Sequence, residues 1–321
     1  MNAPPVTAWS AWQPLAGLPP LSAAVLAETL DGGQAFRWHR GADGLFLGVW
    51  ADHFARIRHS ATGLVEWSAP ASLAPRVGPA LQLYLGLDRD FPGLTDSLPW
   101  RSDAHLATCL AAFPGLRILR QPFGETLLGF LCSATKQIIQ IKQMMALLAA
   151  RHGAEIAPEV RRLPTWPELA AVPEASLRAC LLGFRARYIA QTAQFLATQP
   201  GWLEETEALP YPAAKARLCS LPGVGEKVAD CVLLFGAGRL EAFPVDVWII
   251  KTMARRYGLT AWKPAHIAHF GRAHFGPLAG LAQQFLFSYE RSVRDERSAE
   301  VPQRLGIHRH PPVGENPMPV K

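Results

Sequence analysis

The rhythm of apolar positions along the chain changes once, near residue 100. From about Leu30 to Trp67 the apolar residues come in short runs, AFRWH, LFLGVW, FARIRH and LVEW, parted by the turn clusters RGADG and SATG. Short aromatic and β-branched runs at that spacing predict an antiparallel β-meander. The stretch FPGLTDSLPWRSD, dense in Pro, Gly and Asp, marks the division between a β-rich unit over 1–100 and a second unit over 101–300. Beyond it the period lengthens. KQIIQIKQMMALLAARHG sets Ile138, Ile141, Met145 and Leu148 at helical spacing and stops at Gly153. Helices are predicted also around 174–182, 186–198, 211–219, 226–237, 246–257 and 278–293. Residues 301–321 hold five prolines and little apolar content, the composition of a mobile tail. The predicted class is α+β, a small antiparallel β domain fused to a larger all-helical body.

Composition narrows the possible partners. With 49% apolar and 18% charged residues the chain can fill a core and is not disordered. A net charge of +6 and a pI near 9.2 favour an acidic partner, of which nucleic acid is one. Five cysteines, Cys109, Cys132, Cys180, Cys219 and Cys231, are odd in number and set mostly in apolar stretches, as free thiols of a reducing compartment are. No C-x-x-C pair occurs, which argues against cysteine-ligated zinc or an iron–sulfur cluster. The first residues lack the basic start and apolar core of a signal peptide, and no apolar run approaches the ~20 residues of a membrane span. The expectation is a soluble intracellular monomer of the cytoplasm, nucleoid or nucleus, with no membrane partner.

The richest stretch is LCSLPGVGEKVADCVLLF, residues 218–235. A helix ending near Ser220 meets Pro222-Gly223-Val224-Gly225, and a new helix opens at Glu226. Gly223 and Gly225 leave nothing above the backbone, so exposed N–H groups at the start of a helix form an anion site. This predicts a helix–hairpin–helix over 211–237 that grips a DNA phosphate without reading sequence. The plainer alternative is an interhelical turn with a glycine cap. Lys227 follows in the first helical turn, where the helix dipole disfavours a cation and so favours the neutral, nucleophilic amine. Nineteen residues on, Pro244-Val245-Asp246 precedes the helix VWIIKTMARRYG. Alone, Lys227 reads as a solvated surface lysine and Asp246 as a helix N-cap. Together they describe amine attack at a sugar C1′, with a carboxylate stabilising the oxocarbenium-like state and a Schiff base that permits β-elimination.

At this point the chain resembles the 8-oxoguanine DNA glycosylase/AP lyases of the helix–hairpin–helix superfamily. The likeness runs from about Leu30 to Ser288 through GGQAFRW, LRILRQPFGETLLGFLCS, LGFRARY, LCSLPGVGEKVADC, AFPVDVW and AQQFLFS. It implies a TATA-binding-protein-like β domain, a bifunctional enzyme without metal or other cofactor, and a duplex DNA partner carrying an oxidised purine. Lys227 then matches the Schiff-base lysine and Asp246 the catalytic carboxylate. Gly33 matches the glycine whose carbonyl accepts the N7–H of 8-oxoguanine, an atom that in guanine is an acceptor. Phe287 and Cys231 match the groups that sandwich the flipped base, and Gln283 the residue at its Watson–Crick edge. Arg185 matches a contact to the base left behind, and Phe184 an aromatic wedge in the stack. Core packing is the alternative for Phe287, Cys231 and Phe184.

Three positions depart from the family. Trp248 stands where a phosphate-contacting histidine is usual. Ala134-Thr135-Lys136-Gln137 replaces an asparagine run, with Lys136 placed for a phosphate contact, and Gln140 replaces an arginine. A monofunctional glycosylase for other damaged purines would not need Lys227, and a non-catalytic DNA-binding module would need neither Lys227 with Asp246 nor a purine pocket.

Overall fold

The computed structural model describes residues 8–60 and 62–304, with side chains as far as residue 293. Five antiparallel strands form one sheet: β1 (Gln13–Pro14), β2 (Trp38–Arg40), β3 (Phe46–Trp50), β4 (His53–His59) and β5 (Val65–Ser68), in the order β1-β5-β4-β3-β2. The four predicted meander runs are β2 to β5. β1, two residues long, is an addition at the edge. Alternation along the strands turns Trp38, Phe46, Trp50, Ile57 and Trp67 to one face, where helix α2 (Ala74–Tyr84) covers them with Val77, Leu81 and Tyr84. Trp38 lies flat across Gly48, its partner on β3, so closely that a Cβ there would sit 2.2 Å from the indole. Its Nε1–H donates to the Tyr84 hydroxyl at 3.1 Å.

Helix α1 (Ala23–Asp31) lies between β1 and β2, with Ser22 as its N-cap. The body follows as α3 (Phe91–Asp96), α4 (Ala104–Ala112), α5 (Phe123–Leu131), α6 (Ile138–His152), α7 (Trp166–Ala170), α8 (Glu174–Leu177), α9 (Arg185–Ala197), α10 (Trp202–Ala208), α11 (Tyr211–Cys219), α12 (Glu226–Phe235), α13 (Val247–Tyr257), α14 (Pro264–Phe275) and α15 (Ala279–Arg304). Two details differ from the all-helical expectation. A hairpin of β6 (Glu155–Ala157) and β7 (Val160–Arg161) interrupts the helices, and its Ile156 and Val160 pack on the core of the sheet. The stretch predicted as one helix over 174–182 breaks after α8, with a kink at Cys180 and Leu181. α15 runs to Arg304; the rest of the proline-rich tail lies outside the described residues.

α5 and α12 are apolar almost all round and form the centre of the body, which is how a helix surrounded by others must read. Phe130 and Phe235, one from each, stack at 5.6 Å between centroids. All five cysteines are free, four of them buried and Cys219 half-buried. Among the described residues no helix is long and apolar enough to cross a membrane.

Candidate active site

The hairpin forms as its glycines require. Gly223 has φ of +77°, and a Cβ there would come within 2.5 Å of the Tyr188 ring on α9. Gly225 is the N-cap of α12 in extended conformation, with open space above it. Unpaired amides of the α12 first turn therefore face outward at the positive end of the helix dipole.

Lys227, half-buried in that turn, points inward towards the end of α5. Its Nζ donates to Ser133 Oγ at 3.2 Å and lies 5.2 Å from the centroid of the Phe130 ring. Ser133 in turn donates to the Phe130 carbonyl at 2.7 Å, so the hydroxyl oxygen is left as an acceptor for the lysine. One turn further along α12, Cys231 is buried, and burial pushes its thiol up to about 12 despite the adjacent Lys227. Cys231 is thus a neutral, apolar wall.

Asp246 closes the other side. Its Oδ1 accepts from the backbone N–H groups of Trp248 at 3.0 Å and Ile249 at 2.9 Å, which makes it the N-cap of α13. Capping and a place beside Lys227 coexist. Burial raises the carboxyl above the ordinary aspartate value, and the Ile249 and Trp248 amides and the Lys227 charge pull the other way. Trp248 is half-buried, with Lys251 Nζ 5.9 Å from its ring.

α15 meets the α1–β2 loop through Arg291. Gln283 is buried, and among the described residues its Oε1 has no hydrogen-bond partner. Such an unpaired buried acceptor costs about 1–3 kcal/mol. Phe287, one turn on, is half-buried with the Arg291 guanidinium 5.4 Å from its ring. Arg291 donates to the Gly32 carbonyl and, at 2.6 Å, to Glu28 Oε2. Gly33 has φ of +107°, and a Cβ there would meet Ile138 Cδ1 at 2.9 Å. Its neighbour Gln34 fixes the loop, donating to Arg117 O at 2.9 Å and accepting from Leu119 N–H at 3.0 Å.

Phe184 is 51% exposed at the entry to α9 and meets Tyr188 edge-on. Arg185 is turned inward and buried: it donates to Leu182 O at 3.1 Å, to Ala134 O and to Thr135 Oγ1 at 3.1 Å. Lys136 is exposed on the same loop. Gln140 caps α6, accepting from Gln137 N–H at 3.2 Å. The structure therefore brings Lys227, Cys231 and Asp246 to one place, and sets Phe287 beside Arg291 and Gly33 beside Arg291 and Ile138, with Gln283 one turn before Phe287 on α15. Ser133, Phe130, Gln34 and Arg291 are additions that the sequence reading missed; only the CS dipeptide and the GGQ triplet hinted at two of them.

Two family models divide the chain between them. Residues 19–127 match the 8-oxoguanine DNA glycosylase N-terminal domain, and residues 128–271 match the HhH-GPD superfamily of base excision DNA repair proteins. The N-glycosylase/DNA lyase OGG1 of Arabidopsis thaliana is 31% identical over 282 residues, 83% of this chain and 77% of that protein. The N-glycosylase/DNA lyase of Saccharomyces cerevisiae is 29% identical over 263 residues, 74% and 69% of the respective chains. The 8-oxoguanine glycosylase/lyase of Clostridium acetobutylicum, solved with duplex DNA containing cytosine opposite 8-oxoguanine, superposes with a TM-score of 0.77 at 30% identity, covering 84% of this chain and 92% of its own. With both domains present and in order, this chain belongs to the 8-oxoguanine DNA glycosylase family of helix–hairpin–helix base-excision repair proteins.

Proposed function

We propose that the protein excises 8-oxoguanine from duplex DNA inside the cell and then cleaves the strand, using Lys227 as nucleophile. The observation that carries this reading is the amine of Lys227 held by Ser133 beside the half-buried Asp246 carboxylate, in the first turn past the hairpin at 222–225. The hairpin amides hold the backbone of the damaged strand and the flipped purine enters between Cys231 and Phe287. Its Watson–Crick N–H groups supply the donor that Gln283 Oε1 lacks, Phe287 and Cys231 close on its two faces, and the Gly33 carbonyl accepts N7–H, which guanine does not have. As the glycosidic bond breaks, its electron pair leaves with the base, and Asp246 stabilises the positive charge that develops on the sugar. The amine of Lys227 bonds to C1′ through its lone pair and passes one proton to the departing base anion; the C1′–O4′ bond then breaks with its electron pair on O4′, which takes a proton from solvent, and a protonated Schiff base remains at C1′. Loss of a C2′ proton from that Schiff base then expels the 3′-phosphate.

Borohydride trapping tests this. The wild-type protein should form a covalent adduct with duplexes holding 8-oxoguanine opposite cytosine and none with duplexes holding uracil. Lys227→Gln should bind the duplex and give no adduct. A normal adduct yield from that variant would place the nucleophile elsewhere.

A further inference from the structure

We propose that Leu181 is a second apolar wedge, which enters the base stack of the duplex beside Phe184. The inference rests on the reading of the protein as a duplex DNA glycosylase. Leu181 has φ of 63° and ψ of 16°, the left-handed region that an L-residue with a bulky side chain avoids, and it is 53% exposed. Its neighbours on both sides, Cys180 and Leu182, are fully buried. They act as pegs that drive the leucine between them outwards. Arg151 Nη1 donates to the Ala179 carbonyl at 2.7 Å and Arg178 Nη1 to the Gly183 carbonyl at 3.3 Å, so the turn is held from both ends. Glycine would take this backbone without strain and would expose no apolar surface; two residues later the chain does place a glycine, Gly183, at another positive φ, 57° with ψ of −130°. A residue that is unfavourable both in conformation and in exposure, on a turn that fixes both, is organised for something outside the chain.

What lies outside is set by the surroundings. The turn leads directly into Phe184, 51% exposed, whose ring meets Tyr188 edge-on at 6.0 Å. Tyr188 is the ring against which Gly223 of the hairpin packs. Arg185 ties the same turn to Ala134 and Thr135, next to the Ser133 that holds Lys227. Leu181 therefore shares a surface with the phosphate grip and the nucleophile, and the occupant of that surface is double-stranded DNA. A flipped purine leaves a gap and an unstacked step, and apolar side chains inserted there offset the unstacking cost.

The test separates fold from function by moving them in opposite directions. Leu181→Gly should leave Tm unchanged or raise it by roughly 1–3 °C, because backbone strain and an exposed apolar group are both removed. The same variant should lower the single-turnover rate of 8-oxoguanine excision by roughly ten-fold, equivalent to about 1.4 kcal/mol. Strand cleavage at a preformed abasic site, where no base remains to be extracted, should fall less than three-fold. Leu181→Asn, a residue that tolerates the left-handed region, should lose excision in the same way, and Leu181→Met should retain it. A 2-aminopurine placed next to the lesion should show weaker fluorescence enhancement on binding Leu181→Gly than wild type. Excision within two-fold of wild type by both Leu181→Gly and Leu181→Asn overturns the wedge. So does a lowered Tm with equal losses on the two substrates, or a wild-type dimer that Leu181→Asn splits, which would assign the leucine to a second copy of the chain. Failure of the wild-type protein to excise 8-oxoguanine at all would instead refute the reading on which the wedge rests.

Discussion

Gly33→Ala is the sharpest probe of lesion recognition, since one methyl group acts there in two separable ways. At φ of +107° an L-residue is strained whatever space surrounds it, at a cost of about 1–3 kcal/mol. The new Cβ also lies 2.9 Å from Ile138 Cδ1, about 0.5 Å inside the ordinary contact range that begins at 3.4 Å. Ile138 can yield by leaving its rotamer, for ~0.5–1.5 kcal/mol. Urea unfolding should therefore show a loss of roughly 2–4 kcal/mol. A double-mutant cycle with Ile138→Ala should recover only the smaller, steric part, about 1 kcal/mol. If the loop moves rather than the isoleucine, the Gly33 carbonyl leaves its place. A displacement near 1 Å is worth about 100-fold in rate, so single-turnover excision of 8-oxoguanine should fall by roughly that factor. Cleavage at a bare abasic site, which has no N7–H to read, should fall only a few-fold. Equal losses on the two substrates, or full recovery of stability in the double variant, would refute this reasoning.

Two further outcomes follow from two half-buried carboxylates. Asp246→Asn keeps an oxygen to cap α13, so its unfolding free energy should stay within about 0.5 kcal/mol of wild type while excision falls by roughly 3 kcal/mol of barrier; Asp246→Ala should lose ~1 kcal/mol of stability besides, and an Asn variant with more than a third of the wild-type rate would remove the carboxylate from the mechanism. Glu125 is half-buried where α5 faces the sheet, and burial of its carboxyl lifts it to about 7 although Arg37 is near and the Ala51 N–H donates to it at 3.0 Å. The folded state then holds this proton more tightly than the unfolded chain does, so its stability contribution is whole below about pH 4 and is lost as pH rises through 7. Glu125→Gln should gain on wild type progressively between pH 5 and 8, by roughly 3 kcal/mol at the upper end, whereas a pH-independent difference in urea midpoints would show that Glu125 stays ionised throughout.

The parts of the site that could be read in the sequence are those whose chemistry is local. Gly223, Gly225 and Lys227 stand within five residues, and Asp246 announces its helix as a cap does. The partners that aim them come from far away in the chain. Ser133 is 94 residues from Lys227, and Arg291 is 263 residues from Glu28, so no window along the sequence joins them. Secondary structure divides in the same way. The meander was legible because its strands alternate and its turns carry Gly and Asp. Helix α2 was not: APRVGPALQLY holds Gly78 and Pro79 inside it, and packing of Val77, Leu81 and Tyr84 against the sheet outweighs those two breakers. β6 and β7 are three and two residues long, too short to show a period, and exist because Ile156 and Val160 find the sheet's core.

Helix α12 concentrates these demands in ten residues: its amino-terminal amides, Lys227, the buried Asp230 bound to Lys215 and Tyr211, and Cys231 all hang on one rigid rod. At 3.6 residues per turn, one residue inserted or deleted between Lys227 and Cys231 would rotate everything beyond it by about 100°. Cys231 would swing away from the nucleophile, and Asp230 would lose its ion pair in the core. Divergence along this helix is therefore confined to substitution at fixed length, whereas the β2–β3 turn at 41–45 can gain or lose residues without moving an atom of the chemistry.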